Sequence, residues 1–374
     1  MQPDQSPADK EMKTAVVILN WNGKEYLERF LPVLIPTIGK ESRLIIADNA
    51  STDGSVEMLR EKFPDTAVMV FSRNWGFTGG YNRALMQTDA EYFLLLNSDI
   101  EVTHNWLQPL ENWMDTHPEC GICAPKLHSW TDRKMFEYAG AAGGYIDRFG
   151  YPYCRGRVLG FTEEDLGQYD TPENVFWVSG ACLMIRSGLY RKLGGLDERF
   201  FAHMEEIDLC WRAQLSGYKV TVVPESMVWH IGGGSLPAGS PKKLYLNYRN
   251  NLLMLRKNLA KTLALKEYRR GKGIAGAVRK GRKQAGRTIF IRMMLDGASW
   301  LVYLLTFRWE YCRSVIRAHR DFRKIRTKVT DEDIRSYLKL HGRDGSVEGM
   351  SSKWIIPRAL FYGKRIFSKL PSGQ

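Results

Sequence analysis

The first hundred residues alternate short runs of apolar, often β-branched residues with amphipathic segments, and this alternation constrains the fold more than any other feature. It is typical of βα units that build a mostly parallel sheet. Strands are predicted at 14–19, 43–47, 67–71 and 92–96, and helices at 24–34, 55–63 and 78–87. The predicted fold class is therefore α/β, with a Rossmann-like sheet flanked by helices.

A second set of elements follows these units. Helices are predicted at 105–116 and 205–215, strands at 121–124, 219–223 and 227–230, and a further ordered apolar run at 175–185. The Gly- and Tyr-rich stretch between them, up to residue 170, gives no clear assignment. The pattern contains no internal repeat, so we expect one large domain with an appendage.

The net charge of +13 is concentrated near the carboxyl end. Residues 241–330 contain about 24 Lys and Arg but about 4 Asp and Glu, so the rest of the chain is mildly acidic.

An apolar segment at 289–307 is interrupted by Arg292 and Asp296, which favours packing on a domain or lying in a bilayer interface over spanning a membrane. Three parts are predicted: a flexible amino terminus at 1–13, a sheet domain at 14–256 and a basic helical tail at 257–374.

Two features bear on the compartment. Residues 1–13 lack the basic, apolar and small-residue order of a secretory signal. The six cysteines are scattered, and the one close pair, Cys120 and Cys123, has no second pair to complete a zinc site. We therefore expect reduced core thiols and a cytoplasmic protein.

Polar residues follow three of the predicted strands, where open parallel sheets bind their ligands. Asn20 and Asn22 follow the first strand, Asp48 follows the second, and the run Asn97–Asp99 follows the fourth. A carboxylate at Asp48 would accept a hydrogen bond from a base or a ribose, although it would also suit a turn or a helix cap. These strand ends predict a nucleotide-binding crevice.

A metal site is predicted at the fourth strand. Asn97 and Asp99 place two oxygen-bearing side chains at a spacing that lets them share one hard cation, and a leaving diphosphate needs such a cation. His230 would add an imidazole, which suits manganese better than magnesium. The alternatives are an Asx turn at Asn97 and a structural histidine.

Two further segments carry candidate chemistry. The glycine-containing loop from Asn74 to Asn82 opens a helix, where backbone amides approach a phosphate or sugar closely. Glu205 and Glu206 begin another helix, whose dipole favours carboxylates there. A carboxylate in this position also suits a general base, since an acceptor hydroxyl is a poor nucleophile at neutral pH.

Taken together, these segments resemble the family 2 glycosyltransferases, in particular their bacterial rhamnosyltransferase-like branch. The resemblance covers about residues 14–256 and depends on the order of eight motifs. They are VVILNWNG, ADNASTDGS, NWGFTGGYNRA, LLLNSD, VSGACLMIR, FFAHMEEIDLCWR, VWHIGGGS and YLNYRNN. Each motif alone is ambiguous, whereas the ordered set is specific.

The resemblance implies a GT-A fold and an inverting transfer that uses Mn²⁺ or Mg²⁺. Glu206 would be the catalytic base, and Asp48 would contact the donor's base. Asn97 and Asp99 stand at the metal-binding DXD position of the family, with Asn97 in place of the first Asp, and His230 would complete the site. The remaining donor-side residues would be Asn20, Asn22, Asn74, Gly79, Asn82 and Ser98. The acceptor-side residues would be Trp177, Gly180, Glu205 and Asp208.

The expected activity is transfer of a sugar from a UDP- or dTDP-linked donor to a glycan or lipid-linked acceptor in cell-surface polysaccharide synthesis. The basic tail predicts peripheral contact with an anionic membrane, at the cytoplasmic face of the inner membrane. A nucleotidyltransferase is an alternative, but it would usually need a basic glycine-rich loop where Asn20 to Gly23 stand. Nucleic-acid binding through the tail is another, although the acidic crevice would repel a polyanion and no nucleic acid is expected.

Overall fold

The computed structural model describes residues 12–232, 239–342 and 344–369. Its strands are β1 Thr14–Asn20, β2 Ser42–Asp48, β3 Ala67–Val70, β4 Tyr92–Leu96, β5 Ile100–Val102, β6 Cys120–Ser129, β7 Gly144–Ile146, β8 Pro152–Cys154, β9 Arg157–Val158, β10 Phe161–Thr162, β11 Glu173–Asn174, β12 Cys182–Arg186 and β13 Lys219–His230. Its α-helices are α1 Lys24–Leu34, α2 Ser55–Lys62, α3 Gly76–Met86, α4 Leu107–Thr116, α5 Ser187–Lys192, α6 Glu205–Leu215, α7 Pro241–Arg269, α8 Ile274–Leu305, α9 Trp309–Ile325, α10 Asp331–His341 and α11 Ile355–Tyr362. Short 3₁₀ helices lie at Ile35–Thr37 and Gly363–Lys369.

Within the described ranges, nine strands form a central sheet. Neighbouring strands run in the order β11, β13, β6, β12, β4, β1, β2, β3, and β5 pairs with β13. β4, β1, β2 and β3 are parallel, as the βα pattern predicts. β12 lies antiparallel between β4 and β6, so the sheet as a whole is mixed. A smaller sheet contains β7 to β10.

The first strands are apolar throughout because helices cover both faces of the sheet. Val16 belongs to a core cluster with Leu31 of α1, whereas Val17 belongs to a second cluster with Tyr81 of α3. Successive side chains of a strand point to opposite faces, so a strand buried on both sides needs no polar alternation. The predicted α/β fold class is confirmed, and the strand ends are fixed by this packing.

Two predicted elements differ in extent. The strands predicted at 219–223 and 227–230 form one continuous strand, β13, which pairs in parallel with β6 and shifts register between Val222 and Met227. The shift accommodates Pro224, which cannot donate a ladder hydrogen bond. The helix predicted from residue 78 begins two residues earlier, at Gly76.

The carboxyl-terminal part is helical. α7 runs without a break across residues 256 and 257, where the sequence pattern divided the chain, and it contacts α6, α8 and α9. The predicted segment at 289–307 lies largely inside α8.

All six cysteines are free and buried. Residues 1–11 and the 233–235 part of the VWHIGGGS motif lie outside the described residues.

Candidate active site

The carboxyl ends of β1 and β2 are joined by side chains predicted to bind the donor. Asn20 is buried, and its Nδ2 donates to Asp48 Oδ2 at 3.0 Å and to Ser51 Oγ at 3.1 Å. Asp48 Oδ1 accepts the Ser51 N–H at 2.9 Å. Asn22 has a φ of 51° and accepts the Thr52 N–H at 2.8 Å. The structure thus brings these residues together and shows Asp48 holding the turn after β2.

Asn49, which the sequence pattern did not single out, ties this turn to the start of α3. Its Nδ2 donates to Asn74 Oδ1 and to the Gly76 carbonyl, both at 3.0 Å, and its Oδ1 accepts the Trp75 N–H at 2.9 Å. Gly76 has a φ of 72°, and a Cβ there would collide with the Phe201 ring. Asn74 is therefore fixed beside the strand ends, with the Phe201 loop packed over it.

Two other residues of the same loop do not reach the crevice. Asn82 Oδ1 accepts from the Tyr190 hydroxyl at 2.7 Å and from the Leu196 N–H at 2.9 Å, and its Nδ2 donates to the Leu196 carbonyl at 2.8 Å. Gly79 is buried within α3, and its carbonyl accepts from Arg83. Because these groups are already paired, the structure places Gly79 and Asn82 in the packing of α3 rather than among donor contacts.

The metal ligands predicted from distant parts of the chain lie side by side. His230 Nε2 is 3.2 Å from Asp99 Oδ1, and His230 Nδ1 is 3.4 Å from Glu137 Oε1. All three side chains are buried. Burial alone would lower the pKa of His230, but the two carboxylates raise it to about 10. Burial opposes ionisation of Asp99, yet His230 outweighs it and lowers the pKa of that carboxyl.

Asp99 and His230 suit a divalent cation only when the ion displaces the proton from the imidazole, since a protonated imidazole nitrogen cannot bind a metal. Their facing atoms have about the separation of two adjacent ligands of one six-coordinate ion, and the donor set of oxygen and nitrogen suits Mn²⁺. In the described ranges, no group of three or more His, Cys, Asp or Glu side chains surrounds a common point. Ions that bind nucleotides usually complete their shell with phosphates and water, so two protein ligands suffice. Asn97, which is partly exposed, supplies a neutral amide oxygen nearby.

The two carboxyls at the start of α6 have different surroundings. Burial, followed by the neighbouring Glu206, raises the pKa of Glu205 well above its usual range. Burial also raises the pKa of Glu206, to about 7, against the opposing effect of the helix amides. Glu206 remains partly exposed, whereas Glu205 is buried. A partly exposed carboxyl with this pKa can take a proton near neutrality.

The start of β12 connects the run Asn97–Asp99 to Glu206. The Asn97 N–H donates to the Ala181 carbonyl at 2.8 Å. A Cβ on the preceding Gly180 would lie 3.3 Å from Glu206 Cβ. Asn97, Gly180 and Glu206 therefore lie close together at the start of β12. Ser98 lies near Gly23.

Two predicted acceptor-side residues point away from the crevice. Trp177 is 3% exposed, and its ring covers Gly144 while its Nε1 donates to the Tyr145 carbonyl at 3.1 Å. Asp208 is fully buried and bonds to Arg212 at 2.7 Å, and also to Lys257 and Asn258 of α7. No face of either side chain is available to stack on or bind a sugar. The structure therefore assigns both to the core, which corrects the prediction.

The YLNYRNN motif, whose role the sequence did not reveal, holds the loop before α6. Phe201, His203 and Met204 have φ values of 65°, 69° and 73°, a conformation that costs about 1–2 kcal/mol for each non-glycine residue. Asn250 is fully buried, and its Nδ2 donates to the carbonyls of Phe200, Ala202 and His203 at 2.7–2.9 Å. Arg249 donates to the carbonyls of Arg199 and Phe200. These bonds fix the point at which the helix carrying Glu206 begins.

We expect Asn250→Ala to lower kcat about 10- to 100-fold, because the loop relaxes and misplaces the Glu206 carboxylate. Steady-state kinetics should show the loss in kcat and in the pH profile, with donor affinity retained. Asn251→Ala is the matched control, since Asn251 is equally buried on α7 but donates to the Gly150 carbonyl at 2.6 Å. Equal kcat values for the two variants would contradict this role for Asn250.

Two cavities lie away from these residues. One, of about 680 Å³, is lined in part by Lys13, Asp115 and Arg186. The other, of about 590 Å³, is lined in part by Trp113 and Tyr153. Neither is lined by the strand-end residues or by Glu206.

Comparison with known proteins agrees with this geometry. The family model described as glycosyl transferase family 2 matches residues 15–194. The chain is similar to an N-acetylglucosaminyl-diphospho-decaprenol L-rhamnosyltransferase of Mycobacterium tuberculosis, with 25% identity over 257 residues that cover 64% of this chain and 83% of that protein. It is also similar to the dTDP-rhamnosyl transferase RfbF of Shigella flexneri, with 25% identity over 217 residues, 54% of this chain and 67% of that protein.

The similarity to solved structures concerns the fold. GalNAc-T7, solved with UDP, GalNAc and Mn²⁺, has a TM-score of 0.53 at 16% identity, over 78% of this chain and 58% of that chain. It supports the GT-A-like arrangement of sheet and helices. The matched family segment contains the strand ends up to Asp99 but ends before Glu206 and His230, so the roles of these two residues remain predictions.

Proposed function

Because residues 15–194 match the glycosyl transferase family 2 model, we propose that the chain belongs to this family and moves a sugar from a UDP- or dTDP-linked donor to a hydroxyl of a glycan or lipid-linked acceptor in cell-surface polysaccharide synthesis. The observation that carries this proposal is the position of Glu206, whose pKa is raised to about 7, at the crevice that also contains Asn97. The names of the relatives, which include diphospho-decaprenol and dTDP-rhamnosyl, support a lipid-linked acceptor and a dTDP-linked donor.

The chemistry follows from one base on one side of the crevice. The Glu206 carboxylate removes the proton of the acceptor hydroxyl as its oxygen forms a bond to the anomeric carbon. The bond from that carbon to the diphosphate oxygen breaks at the same time, and the nucleoside diphosphate leaves from the opposite face. A single displacement of this kind inverts the anomeric configuration. The raised pKa of Glu205 disfavours a second negative charge beside the base.

The donor is held by the strand ends. The turn that Asp48 and Asn20 fix would bind the base and ribose, with Asn22, Asn74 and Ser98 around it. Asp99 and His230, with the amide of Asn97, would hold Mn²⁺ or Mg²⁺. When bound, such an ion neutralises the charge that develops on the leaving diphosphate. Asn97 brings no charge of its own, so Asp99 is the one carboxylate of that run.

The rate should depend on pH through Glu206. Its pKa in the folded protein, about 7, lies above its usual range, so below pH 7 the base is mostly protonated and inactive. We expect kcat/KM to rise with pH, by about tenfold per unit well below pH 7, and to level off above it. A pH series of initial rates checks this. If kcat/KM instead falls only below about pH 4 to 5, the usual range of a carboxyl pKa, Glu206 is not the base that limits the rate.

A donor panel tests the proposed activity. The full-length protein is incubated with UDP-, GDP- and dTDP-sugars, a lipid-linked acceptor and Mn²⁺, and nucleoside diphosphate release is measured. We expect release from a UDP- or dTDP-sugar that stops when the ion is chelated. Release of pyrophosphate from a nucleoside triphosphate and a sugar phosphate, with no release from any activated sugar, would instead indicate a nucleotidyltransferase.

We place the reaction at the cytoplasmic face of an anionic membrane, with the donor crevice in water. The basic tail supports this placement, because polybasic segments are attracted to anionic lipids. A lipid-linked acceptor would then reach the enzyme by diffusion in the membrane plane.

A further inference from the structure

α8 turns its charged residues toward the protein. Arg292 and Asp296, the two charges within 288–307, are 5% and 0% exposed, and Arg292 Nε donates to Asp296 Oδ1 at 2.8 Å. Arg292 also donates to Asn251 Oδ1 of α7 at 2.6 Å, and His319 Nε2 of α9 lies 3.1 Å from Asp296 Oδ2. The residues that interrupt the apolar segment therefore anchor α8 to its neighbours.

The opposite face of α8 is apolar and exposed. Phe290, Met294, Leu301 and Leu305 are 64%, 61%, 49% and 68% exposed, and their spacing of four or seven residues places them on one stripe of the helix. We call this stripe, with the exposed residues beside it, the apolar face; its members are Phe290, Met294, Leu301, Val302, Leu305, Phe307 and Trp309. Soluble monomers rarely expose a contiguous apolar surface of this kind, so it marks an interaction site.

Basic residues flank the apolar face at both ends. Lys283 and Arg287 are exposed and continue the same stripe toward the start of α8. Arg308 and Arg313 are exposed just beyond its other end. An apolar centre with basic ends complements the acyl and headgroup layers of an anionic bilayer, whereas a second copy of the chain would bring like charges together.

We infer that the apolar face lies in the surface of an anionic membrane, with α8 parallel to the membrane plane. This inference rests on the proposed function, because it explains how the enzyme meets a lipid-linked acceptor. By length and composition α8 could cross a membrane, and 17% of its most apolar window is buried. Crossing would pull Arg292 from Asn251 and from the Gly150 carbonyl, 3.3 Å away, and would place two charges in lipid.

The test uses the full-length protein and vesicles of phosphatidylglycerol and phosphatidylcholine. The double variant Phe290→Glu with Leu305→Glu should bind these vesicles at least about tenfold more weakly than the wild type, since two apolar anchors are lost and two like charges are added. The matched control, Val33→Glu with Met86→Glu, makes the same charge change at exposed helix positions outside the tail and should bind almost as the wild type does. Turnover of a water-soluble acceptor should be unchanged in both variants.

Several results would overturn the inference. The double variant and the wild type bind the vesicles equally, or the wild type does not bind them at all. A third such result is that the wild type forms a dimer that the double variant does not form, since the apolar face would then contact a second copy of the chain. Resistance of the bound protein to extraction by alkaline carbonate would indicate spanning instead. Failure of the proposed function has a different signature: vesicle binding that depends on the apolar face, with no turnover of any nucleotide-sugar.

Discussion

Glu206→Gln is expected to lower kcat by about 10²- to 10⁴-fold, the usual contribution of a positioned general base. The amide preserves the size of the side chain at the start of α6 but cannot accept the acceptor's proton. Donor binding should persist, because Glu206 lies on the acceptor side of the displacement. Nucleoside diphosphate release in the presence of acceptor measures the rate, and a thermal shift with nucleotide measures binding.

The same variant should not lose stability. Burial raises the pKa of Glu206 to about 7, so the folded state disfavours the ionised carboxylate. The free energy of unfolding therefore decreases as pH rises from the usual Glu range to about 7, and the decrease is complete above that pH. We therefore expect the Tm of Glu206→Gln at pH 8 to equal or exceed that of the wild type. Glu225→Gln, at an exposed position of β13, is the matched control and should keep the wild-type rate. Turnover of Glu206→Gln within about threefold of the wild type would remove Glu206 from the mechanism.

Asp99→Asn is expected to reduce kcat/KM by at least about 100-fold, because it removes the one carboxylate of the run that would hold the ion and the diphosphate. It also removes the negative charge that faces His230 Nε2, 3.2 Å away. The dependence of the rate on Mn²⁺ should shift to higher concentration, and Mn²⁺ binding in the absence of donor should weaken in a calorimetric titration.

The control for this variant must account for stability. His230 lowers the pKa of Asp99, so the ionised carboxylate stabilises the fold above the usual Asp range, and that contribution is lost as pH falls. We therefore expect Asp99→Asn to have a lower Tm than the wild type at pH 7. The rates of the two proteins are comparable only at temperatures below the unfolding transition of the variant. Asp65→Asn, at an exposed position after α2, should change neither rate nor ion binding. An unchanged Mn²⁺ dependence in Asp99→Asn would contradict the metal site.

The sheet could be predicted because its strands are defined by local sequence. β1, β2, β3 and β4 begin and end within one residue of the predicted limits. β1, β2 and β4 contain apolar runs that are buried on both faces, and a polar residue ends each run where the chain leaves the sheet. β3, at the edge of the sheet, is apolar but only partly buried. The association of Asn20 with Asp48 follows from the same rule, since the ends of neighbouring parallel strands meet at one edge. Asp99 meets His230 in a different way: β5 pairs antiparallel with β13 and sets Ile100, the residue after Asp99, opposite His230.

Side-chain direction on α6 was harder to predict. Glu206 and Asp208 are two residues apart, so they point about 200° apart around the helix, and both cannot face the crevice. The family resemblance placed Glu206 and Asp208 at one site, but Glu206 is partly exposed while Asp208 is buried against α7. Trp177 failed for a similar reason: its ring fills the space over Gly144, a contact that no local pattern reveals.

The supporting residues depend on contacts between distant segments. Glu137 lies in the stretch that gave no clear assignment, and it meets His230 across 93 positions of the chain. Asn250 bonds to the loop of Phe200 across 50 positions. Such pairings carry no local signal, since neither helix periodicity nor capping chemistry depends on them. Only the folded arrangement identifies Asn250 as the residue that fixes the start of α6.

The most direct measurement is the thermal shift produced by UDP, GDP and dTDP, with and without Mn²⁺, in the wild type, Asp99→Asn and Glu206→Gln. A ligand that binds only the native state raises its Tm. The account predicts that UDP or dTDP raises the Tm of the wild type and of Glu206→Gln when Mn²⁺ is present, and that Asp99→Asn responds to neither. A wild type that responds to no nucleotide, or an Asp99→Asn variant that responds as the wild type does, would contradict it.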